Sequence, residues 1–498
     1  MSEKASHTST DIEKHHVDSS SLASDSSPVR TTAEDPALKK TWRKVDMYIL
    51  PVVAMFYLLS FLDRTNLGNA RIAGLQKDLK MTNRQYSIAL TVTYVPYIVA
   101  ELPSNLLLKT FKVFELILVP PGVVKTYHGL LICRFFLGLL EGTYLTQIPS
   151  NNVDVSKGGV FPGLVLYLSF WYPRRQLQWR ISGFFSTASI SGAFSGLLAY
   201  GIINMHGVGN RPGWAWIFIL EGLFTFLFGL CSFVLLPRSP AHARFLNEKE
   251  KEYIATQLKE TGATGDDSDD KFSWREVGRA FMLPQVWMIA VIFFFDGAIL
   301  YGLAYFTPSI VQGLGYTAAR AQLFSVPPFA AAFVVTMISA FVSDRYGCRG
   351  LVSMFCGLLC LIGFVMFLVS HSIHVKYASL FFTISGAYCG APSLSTWGAN
   401  NTAPHTRRAT AIAIGFIMTN SGGILVTWLL GVLSPAPLYR KATITLLIFS
   451  VLMIVFTAFN MFYLWTQNKK KAAIRATTAR SDEKPGLGDQ SAWYIYSL

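Results

Sequence analysis

The chain has 498 residues, of which 52% are apolar, 14% charged and 14% aromatic, a balance far more apolar than a water-soluble domain carries and the mark of a polytopic membrane protein. The net charge of +14 does not point to nucleic acid, because Lys and Arg gather at the ends of apolar segments, as membrane orientation by the positive-inside rule requires. The six cysteines are scattered through apolar segments without metal-ligand spacing or C-x-x-C pairs, so neither a disulfide framework nor a metal site is indicated.

Residues 1–40 are rich in Ser, Thr, Asp and Lys and too poor in large apolar side chains to fold, so a disordered tail is expected. It has no apolar h-region or cleavage site, so insertion falls to the first membrane helix. Lys39, Lys40, Arg43 and Lys44 precede that helix and place the N-terminus in the cytoplasm. Ten spans of about 20 residues follow, near 48–70, 86–108, 181–203, 214–236, 286–310, 325–343, 351–370, 377–396, 409–433 and 443–465. Between the second and third lie two damaged candidates. One, 113–124, is short and carries Glu115 and Pro120-Pro121; restoring both candidates gives twelve spans.

The other damaged candidate is C-R-F-F-L-G-L-L-E-G, 133–142, where Arg134 and Glu141 lie two helical turns apart on one face, with Gly138 and Gly142 leaving room for a neighbouring helix. Ionisable groups at membrane depth mark a functional site or an ion pair that locks two helices. The segment is interrupted at 143–158 by T-Y-L-T-Q-I-P-S-N-N-V-D-V-S-K-G, which cannot lie in lipid as irregular backbone. Its removal restores a full-length helix. A Gly-Thr start and Lys-Gly end are compatible with splice signals, so a translated intron is one reading. A real loop joining two half-helices is the other.

A polar linker at 237–284 separates two sets of spans: a first half at 41–236 and a second at 285–466, followed by a cytoplasmic tail at 467–498. The halves echo one another, with Arg180 and Arg408 each preceding a helix rich in small residues. Two parallel six-helix repeats around a central loop form the architecture of the major facilitator fold, an all-α membrane protein with twelve transmembrane helices, here with the third truncated and the fourth interrupted.

Asp344-Arg345-x-Gly347-x-Arg349 resembles the loop signature of that superfamily, and Arg134-x-x-x-Gly138-x-x-x-Gly142 resembles its fourth-helix motif. S-F-L-D-R-T-N at 60–66, E-L-P-S-N-L-L-L-K at 101–109, W-I-F-I-L-E-G at 216–222 and G-A-P-S-L-S-T-W-G-A-N-N-T-A-P-H-T-R-R at 390–408 resemble the anion:cation symporter family. The resemblance runs from about residue 40 to the end and is nearest to the fungal allantoate, nicotinate and pantothenate permease group. It implies a secondary transporter working by alternating access. The first half lacks the acidic loop signature, having K-T-F-K where Asp-Arg would stand.

Arg64 is an always-charged fork that suits a carboxylate. The resemblance implies that Arg64 and Arg134 bind substrate, with Asn420 as a weaker candidate lining the cavity. It implies that Asp63 and Glu141 couple a proton, although Asp63 can equally be a salt-bridge partner of Arg64. Glu141 sits among Leu137, Gly138 and Leu140, placed to take up and release that proton. Asp344, Arg345 and Arg349 are assigned to the cytoplasmic gate. Glu101, Glu221, Asp296 and the tyrosines Tyr94, Tyr97, Tyr167 and Tyr301 are weaker candidates that helix packing also accounts for. The partners expected are a small organic anion, protons and the bilayer, for a monomer in the plasma membrane with both termini cytoplasmic. No cofactor is expected, and no nucleophile-base pair suggests an enzyme. The alternative function is a nutrient receptor on the same scaffold.

Overall fold

The computed structural model describes residues 36–107, 124–142, 164, 167–168, 171–237, 239–260, 273–436, 439–477, 483 and 487–498. Residues 113–123 of the short third segment and the interruption at 143–158 lie outside them, as does the Glu141 side chain. Two compact units divide the chain after Asp46. The described part of the first is the opening of a helix; the second holds everything from Met47 onward.

Among the described residues every regular element is helical. In chain order they are α1 Pro36–Ala70, α2 Asn83–Leu107, α3 Tyr127–Gly142, α4 Arg174–Phe185, α5 Thr187–Ile202, α6 Gly213–Leu235 and α7 Glu248–Glu260, then α8 Trp274–Met282, α9 Pro284–Gly313, α10 Ala318–Tyr346, α11 Arg349–Val369, α12 Ile373–Asn400, α13 His405–Trp428 and α14 Arg440–Thr477. Shorter turns extend α1 to Asp78. Pro284 opens α9, where its missing N–H costs nothing. Gly347, at φ 65°, takes the left-handed turn between α10 and α11 that a side chain would strain.

Eight helices among the described residues are long and apolar enough to cross a membrane. Two of the ten expected spans, α2 and α12, are helical but fall below that hydropathy. The reason is visible in α12, where every residue from Thr383 to Trp397 is buried. A helix enclosed by other helices meets little lipid, so Ser, Thr and Gly replace Leu and let its neighbours approach. α9, buried along most of its apolar stretch, is the other interior element. It packs on α13, while α11 packs on α12, α5 on α10 and α2 on α13. Ile292, Phe295, Cys356, Leu394 and Met453 form the core where α9, α11, α12 and α14 meet.

Residues 467–498 begin as helix, since α14 runs on to Thr477, and end as a strap. Trp397 Nε1 and Asn401 Nδ2 donate to the Ser497 carbonyl at 2.9 and 3.0 Å, and Asn468 Nδ2 donates to the Tyr496 carbonyl at 2.9 Å. Asp489 in the strap pairs with Arg407, whose Nε and Nη2 also reach the Glu276 carboxylate at 3.0 and 2.5 Å. A fully buried guanidinium is thus held between two carboxylates from α8 and the strap.

Candidate functional site

Phe61 and Arg64 are three residues apart in α1 and so share a face. Gly68 lies one turn further on, and a Cβ there would fall on the backbone carbonyl of Tyr305. This close approach of α1 to α9 sets Arg64 beside Tyr301, one turn before Tyr305. Arg64 Nη1 donates to the Tyr301 hydroxyl at 2.6 Å, and that hydroxyl donates to Asn420 Oδ1 at 3.2 Å. A chain of hydrogen bonds therefore runs from α1 through α9 to α13.

Aromatic faces enclose the guanidinium. Its carbon lies 5.5, 5.3 and 5.7 Å from the ring centres of Phe61, Tyr97 and Tyr301. Such contacts stabilise a cation through the ring faces. Tyr94 adds an edge against Tyr301 at 5.2 Å, and its hydroxyl shares a 2.7 Å hydrogen bond with Tyr305. Arg64 is 9% exposed and Asn420 2%, so the site is closed as it stands.

A second polar group starts from Asp63 and Asn66 of the same helix, α1, and is completed by α3 and α6. A Cβ at Gly138 would fall on the Thr93 carbonyl, so α3 lies hard against α2 and brings Arg134 inward. Arg134 Nη1 reaches the Asp63 backbone carbonyl at 3.4 Å, and its Nε has no partner among the described residues. The Asn66 amide donates to Glu221 of α6 in a short contact, leaving the other carboxyl oxygen of Glu221 unpartnered there. Glu221 lies within electrostatic reach of Asp63 and Arg134. In low dielectric these unmatched groups interact strongly with any charge that enters.

The structure thus brings Arg64, Asn420, Arg134 and Asp63 into adjoining groups and leaves others elsewhere. Tyr167 donates to the Pro237 carbonyl at 3.0 Å and packs on Trp171, away from Arg64. Asp344 and Arg349 lie within electrostatic reach of each other at the α10–α11 turn, with Arg349 buried and Arg345 exposed. Asn66 and Glu221 belong to the site, yet only Glu221 stood among the weaker candidates of the sequence. The signal for Asn66 was its place three residues after Asp63, on the same helical face. Among the described residues no cluster of side chains could hold a metal ion.

Residues 53–427 match the family model described as Major Facilitator Superfamily. The chain belongs to the major facilitator superfamily. A high-affinity nicotinic acid transporter of Saccharomyces cerevisiae is 31% identical over 93% of this chain and 86% of its own length. A transporter of Schizosaccharomyces pombe without an assigned substrate is 32% identical over 91% and 89%. A bacterial homolog of the human lysosomal transporter Spinster, inward-facing and unoccupied, aligns with TM-score 0.59 at 14% identity, over 86% of this chain and 97% of that one. The proton:xylose symporter XylE bound to 6-bromo-6-deoxy-D-glucose aligns with TM-score 0.52 at 15% identity, over 85% and 90%. The two structures share the major facilitator fold with this chain. The superfamily member described here is an integral membrane transporter of a small molecule, not an enzyme.

Proposed function

We propose that this transporter carries a small organic anion, a carboxylate of the nicotinate kind, together with protons by alternating access. The observation that supports this most is the aromatic enclosure around Arg64: a two-pronged cation for the carboxylate, bonded to the Tyr301 hydroxyl and walled by rings that suit a flat, apolar body. The relation to a nicotinic acid transporter agrees with it. In this reading Arg64, Arg134 and Asn420 contact substrate and Asp63 and Glu141 carry the coupling proton. Asp344, Arg345 and Arg349 serve the cytoplasmic gate. Two six-helix halves, 41–236 and 285–466, rock about the site, joined by the linker at 237–284, with both termini cytoplasmic and the protein a plasma-membrane monomer.

Purified protein in liposomes tests this directly. Labelled nicotinate, other monocarboxylate vitamins and ureides are offered with and without an inward proton gradient. The proposal expects accumulation of at least one of them, driven by the gradient and abolished by its collapse. Uptake that ignores the gradient would remove proton coupling, and tight binding without uptake of any compound would favour a nutrient receptor instead.

A further inference from the structure

Asp296 is the single Asp, Glu, Lys, Arg or His along the 30 residues of α9. It is fully buried, and neither carboxyl oxygen has a hydrogen-bond partner among the described residues. Its surroundings come from three helices. Gly390 of α12 faces it so closely that a Cβ would stand 2.6 Å from Oδ1, and Met453 of α14 closes the same space. The titratable groups nearest to it are the thiols of Cys356 and Cys360 on α11 and Cys389 on α12. Cys389 is itself engaged, donating to Ser339 Oγ of α10 at 2.8 Å and lying 3.0 Å from the Cys356 sulfur. No Lys, Arg or His of the described residues forms an ion pair with the carboxyl.

An ionised carboxylate with neither a donor nor a cation is the costliest state such a site can hold, and the acid form is the state that fits it. A side chain kept only for packing would be apolar, or an amide with its partners in place. Glycine at 390 instead keeps open the space into which the carboxyl can turn. Unpartnered polar groups stand on adjoining helices as well: the buried Asn460 amide, two turns beyond Met453 on the same face of α14, and the buried Thr336 hydroxyl of α10. Neither has a hydrogen-bond partner among the described residues.

We infer that Asp296 is a proton-binding site in the second half of the bundle, separate from the Asp63 and Glu141 set, holding a proton while the helices are closed around it. When the two halves move and water reaches the space beside Gly390, the O–H bond breaks, the proton passes to water on the open side and the carboxylate is solvated. When they close, the carboxylate takes a proton back from water. The presence of the proton stands on this geometry alone; its use in driving substrate rests on the symport reading.

Infrared spectroscopy of the purified full chain carrying carboxyl-13C aspartate separates the two. The inference expects, at neutral pH, a protonated-carboxyl stretch that shifts with the label, persists in Asp63→Asn and is lost in Asp296→Asn. Absence of any label-sensitive protonated band in the unsubstituted protein overturns it, and so does a band retained in Asp296→Asn; the first of these needs no variant to fold. In liposomes Asp296→Asn should lower gradient-driven accumulation by about tenfold for each imposed pH unit, the share of one proton. Parent-like accumulation with a parent-like pH profile overturns the coupling role. If the unsubstituted protein itself accumulates nothing under a proton gradient, the symport reading fails, and the infrared result still decides the site.

Discussion

Arg407 and Arg134 are both buried in the same molecule, and their surroundings differ in kind. Arg407 gives Nε and Nη2 to Glu276 and Nη1 to Asp489, so its charge is neutralised by residues already present. Arg134 keeps Nε without a partner among the described residues, while its Nη1 reaches a backbone carbonyl at 3.4 Å and its guanidinium lies over the Phe218 ring. A cation with two carboxylates in place has no capacity for a ligand and serves to fasten α8, α13 and the C-terminal strap. A cation buried with incomplete bonding is a cost that an incoming anion relieves. Arg64 is bonded to the Tyr301 hydroxyl and set among rings.

The comparison breaks most visibly at Arg407. Arg407→Ala leaves two carboxylates facing one another in a buried space and should cost about 3–5 kcal/mol of stability. Thermal unfolding of the purified protein reads the loss, and a transition temperature within a degree or two of the parent would show that the triad fastens nothing. Tyr301→Phe sharpens the other side of the comparison. It removes the hydroxyl joining Arg64 to Asn420 while keeping the ring, so substrate affinity should fall by about tenfold, ~1.4 kcal/mol, with folding intact. Equilibrium binding of the transported anion measures it. The smallest effect is expected at Arg345, which is exposed beside the buried Arg349. Arg345→Ala should move stability by no more than ~0.5 kcal/mol, whereas a drop of several degrees in the unfolding temperature would place Arg345 in a structural contact.

Much of the fold was legible because a bilayer demands about 20 apolar residues per crossing. The D-R-Y-G-C-R turn was legible for another reason, the left-handed backbone that Gly347 supplies. Arg64, Arg134 and Asp63 stood out as charges inside apolar runs, and the structure draws them together. Three features could not be read. Arg407 and Arg408 are adjacent and alike in sequence; only packing reveals that Arg407 is the buried one, while Arg408 Nε donates to the Thr402 carbonyl at 3.1 Å. Tyr301 stands in the sequence only as a weaker candidate; its role could not be read, because which face of α9 points inward depends on helices hundreds of residues away. The strap was hidden by its position after a polar run, although S-A-W-Y-I-Y-S-L is too aromatic for a solvated tail. Glu141, the remaining charge of the opening motif, has its side chain outside the described residues.

The central claim is that Arg64 grips the carboxylate of the transported anion, and the most direct measurement is binding of that anion to purified, folded Arg64→Lys protein. Lysine keeps the charge but presents a point donor in place of a planar fork. The account predicts a normal unfolding temperature together with an affinity lower by tenfold or more, about 1.4 kcal/mol at the least. An unchanged dissociation constant in folded Arg64→Lys would contradict it and remove Arg64 from the binding site.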